Sequence, residues 1–138
     1  MKRQYPFGKK AVTFIAGGSG ITPVYQALTK LLNTQGDTTQ VTLILGNKSE
    51  ADVLLKDELA AFKRAHPGRF NLVHIVGGHI DEAAVKASAA PPSDGTLVFV
   101  CGPPGLYDTI CGPRLEKELG TGTVLKNLGF TDDMVVKL

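Results

Sequence analysis

Apolar positions along the chain come in short runs separated by polar, glycine-rich breaks, and the runs alternate between two periods. Ala11 to Ala16 is a β-rich run of strand length. After Gly17-Gly-Ser-Gly20, Val24, Ala27, Leu28 and Leu31 recur at helical spacing, which predicts a helix with one apolar face. The same alternation repeats along the chain. Gln40 to Leu45 predicts a strand covered on both faces and ended by Gly46-Asn-Lys48. Ser49-Glu-Ala-Asp52 has a helix-starting form, and Val53, Leu54, Leu55, Leu59 and Phe62 then predict a helix up to His66-Pro-Gly68. Phe70 to Val76 predicts the third strand, closed by Gly77-Gly78, with Asp81 capping a short helix through Ala87. Thr96 to Cys101 predicts the fourth strand. Gly102-Pro-Pro-Gly105 then turns into a helix from about Leu106, restarted near Gly112-Pro113 and running to Leu119. Asp132 to Leu138 can form a last strand. Met1 to Lys10 reads as a lead-in and Asn33 to Thr39 as a polar loop.

Strands alternating with helices require parallel pairing through right-handed crossovers, so the expected fold is α/β: a doubly wound, mainly parallel open sheet with helices on both faces. In such a sheet ligands sit beyond the C-terminal ends of the strands, at the topological switch point. Each of the four strand-to-helix turns there contains glycine: Gly17 to Thr22, Gly46 to Lys48, Gly77 to His79, and Cys101 to Gly105.

The first turn carries the plainest chemistry. Thr22 suits an N-cap and Pro23 the first helical position, and glycines before them admit close approach to the backbone. Free N–H groups and the positive end of a helix make such a turn an anion site, most naturally for a pyrophosphate. A tight turn with no ligand fits the same residues. The spacing is G-G-x-G followed by Ile-Thr-Pro, neither the dinucleotide fingerprint G-x-G-x-x-G nor the Walker pattern.

Composition narrows the classes further. The chain has 138 residues, one domain's worth, and 43% apolar content, enough for a packed core. A formal net charge of +2, without basic runs or interleaved aromatics, argues against a nucleic-acid partner. The apolar runs are too short for a membrane span, and Met1-Lys-Arg-Gln-Tyr-Pro6 lacks the apolar stretch of a signal peptide, so the chain is expected to be soluble as given. Cys101 and Cys111 are expected to be reduced thiols. With His66, His74 and His79 scattered, no metal site is expected.

Three motifs in order carry a resemblance that covers about Tyr5 to Leu138. They are Ala16-Gly-Gly-Ser-Gly-Ile-Thr-Pro23, Leu45-Gly-Asn-Lys-Ser-Glu-Ala-Asp-Val-Leu-Leu-Lys-Asp-Glu-Leu59, and Val100-Cys-Gly-Pro-Pro-Gly105. Together they resemble the NAD(P)H-binding domain of the ferredoxin reductase superfamily, most similar to its NADH-cytochrome b5 reductase and nitrate reductase branch, with a Rossmann-like fold. The resemblance implies that Gly17, Gly18, Ser19, Gly20, Thr22 and Pro23 form the pyrophosphate loop. It implies that Asn47 and Lys48 lie near the adenosine half, with Gly77 in the following turn. Cys101, Gly102, Pro103 and Pro104 match the turn that places a cysteine beside the hydride-donating carbon of nicotinamide, and Gly105 and Leu106 match the segment after it. Cys101 would be the catalytic residue by position, without ionising, while Cys111 is expected to be structural. His79 and Asp81 are expected to be solvated capping residues rather than ribose contacts.

The resemblance further implies an oxidoreductase presenting NADH, with NADPH the alternative, to FAD held in a separate N-terminal domain, and a haem protein such as cytochrome b5 as electron acceptor. The flavin-binding motifs of that domain are not in this sequence. Residues 1–10 therefore read as the connection from it and residues 11–138 as the nucleotide domain, inactive alone. A cytoplasmic-side location, with a membrane tether in an N-terminal segment missing from this sequence, would be usual for such relatives. Gly77-Gly78 supplies neither an acidic group for a ribose hydroxyl nor an Arg for an extra phosphate, which favours NADH. Leu138 stands where many relatives end in an aromatic residue. A module of another class, binding nucleotide or a partner without catalysis, would retain the same three motifs.

Overall fold

A computed structural model describes residues 10–33 and 38–138, so the lead-in and most of the polar loop after the first helix lie outside the described residues. Five strands form a single sheet: β1 (Ala11–Gly17), β2 (Gln40–Asn47), β3 (Phe70–Val76), β4 (Thr96–Cys101) and β5 (Val135–Lys137). Their order is β3-β2-β1-β4-β5, and every neighbouring pair is parallel. Helices α1 (Ile21–Asn33), α2 (Lys56–Ala65), α3 (Glu82–Ser88), α4 (Pro104–Ile110) and α5 (Val124–Asn127) cover it.

The period-2 geometry of a strand divides its side chains between two cores. Val12, Phe14 and Ala16 of β1, with Val41, Leu43 and Leu45 of β2, face the apolar stripe of α1 (Val24, Ala27, Leu28 and Leu31) and Leu59 of α2. Ile15, Ile44, Val98 and Val100 face the opposite way, against Val85 of α3, Tyr107 and Ile110 of α4, and Leu125 of α5. β1 and β4 are in register, Phe14 opposite Phe99, and these two rings stack at 5.1 Å between centroids and 14° between planes. A pair like that adds about 0.5–1.5 kcal/mol to the burial of its rings. The doubly wound expectation therefore holds, with helices on both faces.

Three local expectations are corrected. The first concerns α1, which begins at Ile21 after a 3-10 turn over Gly18–Gly20, so Thr22 and Pro23 are already helical and Thr22 is not the cap. Proline is tolerated there because first-turn N–H groups lack an intrahelical acceptor. The second concerns Ser49-x-x-Asp52, which makes only a 3-10 turn over Glu50–Asp52. Ser49 Oγ donates to the Asp52 carboxylate at 2.9 Å instead of capping the backbone, and Leu55 at φ 57° separates this turn from α2. Third, α4 starts earlier than expected, at Pro104, and stops at Ile110, so residues 111–123 form loops rather than a helix to Leu119. Asp81 does cap α3, its Oδ1 accepting the Ala84 N–H at 2.8 Å.

Candidate functional site

The chain goes from β1 outward to β2 and β3, then returns across β1 to β4, so the winding reverses between β1 and β4. There two turns meet backbone to backbone. A Cβ built on Gly20 would lie 2.3 Å from the Cys101 carbonyl oxygen, so the start of α1 can approach the end of β4 only without a side chain. Gly18 differs. Its φ is +54°, and a Cβ there would meet nothing within 4 Å, so it opens onto a cleft. The same is true of the space at Gly105, in the first turn of α4. The first of these glycines serves packing, and the other two leave room for a ligand.

Two cavities occupy the C-terminal edge of the sheet and share Gly18, Ser19 and Pro103 as walls. The smaller, about 610 Å³, is bounded by Gly20, Cys101, Gly102, Pro104, Tyr107, Asp108, Pro113, Arg114 and Leu138. The larger, about 1000 Å³, runs across the ends of β1, β2 and β3 past Gly17, Asn47, Lys48, Gly77, Gly105 and Leu106. Each has the size of a small-molecule site, roughly 300–1,000 Å³. The larger is lined by residues of all four glycine-containing turns, the smaller by those of the first and fourth.

Cys101 ends β4 at 9% exposure, opposite Ala16 in register, and borders the smaller cavity. Tyr107, 3% exposed, lies behind it and donates its hydroxyl to the Leu138 carbonyl at 2.6 Å. Burial pushes the Tyr107 phenol up, and the adjacent Cys101 thiol adds to the effect, so the hydroxyl stays protonated as a donor. Cys111 is fully buried at the end of α4 and its pKa rises to about 11, chiefly through burial, leaving an inert thiol. In the larger cavity Asn47 is mostly committed to the fold. Its Oδ1 lies 3.0 Å from His74 Nε2 and its Nδ2 donates to the Asp52 carbonyl at 3.2 Å, tying β2 to β3 and to the 3-10 turn.

Of the residues predicted from sequence, thirteen positions from Gly17 to Leu106 line one or both cavities. Thr22 and Pro23 do not, because the helix starts before them and leaves both exposed. His79 is exposed, in keeping with the expectation of a solvated residue, and borders the larger cavity. Tyr107, Arg114 and Leu138 escaped the motif reading of the smaller cavity. Tyr107 follows Pro104 by three residues on α4, a spacing that points it back to the same end, while Arg114 and Leu138 arrive from loop and strand and leave no periodic signal. Among the described residues, no group of three His, Cys, Asp or Glu side chains gathers as a metal would need, and no helix is long and apolar enough to cross a membrane.

A model of the oxidoreductase NAD-binding domain matches residues 14–112. The NADH-cytochrome b5 reductase 2 of Neurospora crassa is 40% identical over an alignment covering 93% of this chain and 41% of that protein. Its namesake in Yarrowia lipolytica is 40% identical, covering 93% of this chain and 48% of that protein. The crystal structure of the cytochrome b5 reductase domain of Ulva prolifera nitrate reductase superposes with a TM-score of 0.80 at 28% identity, covering 94% of this chain and 49% of that one. The chain thus spans less than half the length of these relatives.

Proposed function

Since the chain belongs to the oxidoreductase NAD-binding domain family, we propose that it is the pyridine-nucleotide half of a flavin-dependent reductase of the cytochrome b5 reductase type, presenting NADH for hydride transfer to FAD in a separate domain. In this reading residues 11–138 are the nucleotide unit, residues 1–10 connect it to the flavin domain, and cytochrome b5 or a similar haem protein accepts the electrons. Relatives named NADH-cytochrome b5 reductase support it, as does their greater length.

The observation that carries the reading is the pair of adjoining cavities joined at Gly18, Ser19 and Pro103. A dinucleotide is long, with a dianionic centre and two ring systems, and needs such a divided groove. The Gly17–Gly20 turn lies at the junction, where the N-terminal end of α1 favours the diphosphate. Asn47, Lys48 and Gly77 then border the adenosine end, and Cys101 to Pro104 border the nicotinamide end. The bound nucleotide supplies the hydride. The residues of this chain hold and orient it: Cys101 is small enough to let the ring lie close, and Pro103 and Pro104 fix the turn beside it. NADH is favoured over NADPH because no Arg is among the residues lining the larger cavity.

The test is titration of the chain with NADH and with NADPH, followed by calorimetry and thermal shift. NADH is expected to bind more tightly, and no response to either at millimolar nucleotide would refute the reading. Gly105→Val fills open space in the first turn of a helix, so it should abolish binding with the unfolding midpoint nearly unchanged.

A further inference from the structure

From Pro113 to Glu118 every residue is exposed, Leu115 to 93%, so this loop sends no side chain into either core. Yet its first members, Pro113 and Arg114, form the side of the Cys101 cavity together with Leu138. At its neck the Gly120 N–H donates to the Cys111 carbonyl at 3.1 Å. Beyond that neck a single cation organises it. Lys137, on β5, donates its ammonium to the carbonyl of Pro113 at 2.9 Å, to that of Glu118 at 2.9 Å, and to that of Glu116. An ammonium has three N–H donors and no acceptor, so these three carbonyls use all of them. Bonds from a charged donor are the stronger kind. The clasp is returned from the loop, where Arg114 Nε donates to the Leu138 carbonyl at 2.7 Å, the same oxygen that accepts from Tyr107.

We propose that Lys137 is a positioning residue for the Cys101 cavity, its ammonium seated in three main-chain carbonyls and latching the 112–120 loop as the cavity's outer wall. Over 113–118 the loop is held to the strand by polar contacts, with Leu119 beyond it anchored in the core, which makes this exposed stretch the part of the wall that opens at least cost. The identity of what the wall encloses, a nicotinamide ring, rests on the proposed function. The latch itself does not, and its test uses no nucleotide.

Lys137→Met keeps the length and apolar stem of the side chain and removes the donors. The carbonyls it abandons lie on an exposed loop where water can reach them, so the sheet should fold as before. Hydrogen exchange of amides in residues 113–120 is expected to quicken about tenfold while β1 and β4 amides keep their rates. Alkylation of Cys101 by N-ethylmaleimide, followed by peptide mass spectrometry, is expected to quicken about fivefold as the wall opens. In Lys137→Ala, added methylammonium should restore slow exchange by refilling the cradle, and tetramethylammonium, which has no N–H, should not. Unchanged loop exchange and Cys101 alkylation in Lys137→Met would overturn the proposal. So would a uniform acceleration across all amides, or equal rescue by the two cations. A failure of NADH to bind would refute the nucleotide reading and leave these results standing.

Discussion

At the scale of single residues, the glycines of the first turn divide into two kinds that sequence spacing cannot separate. Gly18 stands in open space with φ +54°, whereas Gly20 is wedged against the Cys101 carbonyl. Adding one methyl at Gly20 forces α1 away from β4, because the obstacle is backbone and cannot swing aside. Gly20→Ala is therefore expected to destabilise the chain by about 3 kcal/mol, at the upper end of overpacking costs. Chemical denaturation would measure it, and a loss below 1 kcal/mol would mean that the turns do not touch. Cys101 is the residue where motif and geometry agree best: the sequence places it at a strand end before two prolines, and the fold places it at the border of a cavity with Tyr107 behind it. Arg114 and Lys137 are the opposite case. Nothing in their sequence context marks them, since their partners are main-chain carbonyls far along the chain.

Among the elements, strands were the most legible, because apolar runs bounded by glycine or proline leave little freedom: β3 and β4 match Phe70–Val76 and Thr96–Cys101 as expected. Helix starts were less so. The Ser49-x-x-Asp52 pattern invites a capped helix, but the two side chains bond to each other, and a left-handed Leu55 delays α2 to Lys56. Residues 111–123 were illegible for a different reason. Apart from Cys111 and Leu119, which are buried in the core, their anchors are hydrogen bonds to β5 and to Asp132, which accepts the Leu119 N–H at 2.8 Å, and such contacts have no period. Where local chemistry alone sets the boundary, the sequence reading holds, as at α3. Asp81→Ala removes the acceptor of the Ala84 N–H, 2.8 Å away, and is expected to cost about 1 kcal/mol. Asp81→Asn should recover most of that loss in the same denaturation experiment, while no loss in Asp81→Ala would mean that water replaces the cap.

For the whole molecule, the deciding fact is polarity. Because every strand pair is parallel, all five strands point the same way, and both cavities lie at the edge where β1, β2 and β4 end. The opposite edge is closed by its own hydrogen bonds: the Lys10 and Ala11 N–H groups donate to Gly95 O, and Val41 N–H donates to Arg69 O. A nucleotide that occupies the divided groove must therefore leave a one-sided footprint. Hydrogen exchange with and without saturating NADH is expected to slow at Gly17–Ile21, Asn47–Leu54, Gly77–Ile80 and Gly102–Leu106, and to stay the same at Thr39–Val41 and Ser93–Leu97. Protection confined to the turns after β1 and β4 would place only the diphosphate and nicotinamide in the groove and leave the adenosine end in solvent. Protection at the Ser93–Leu97 edge would contradict a site governed by the switch point, since no path through a packed sheet joins its two ends.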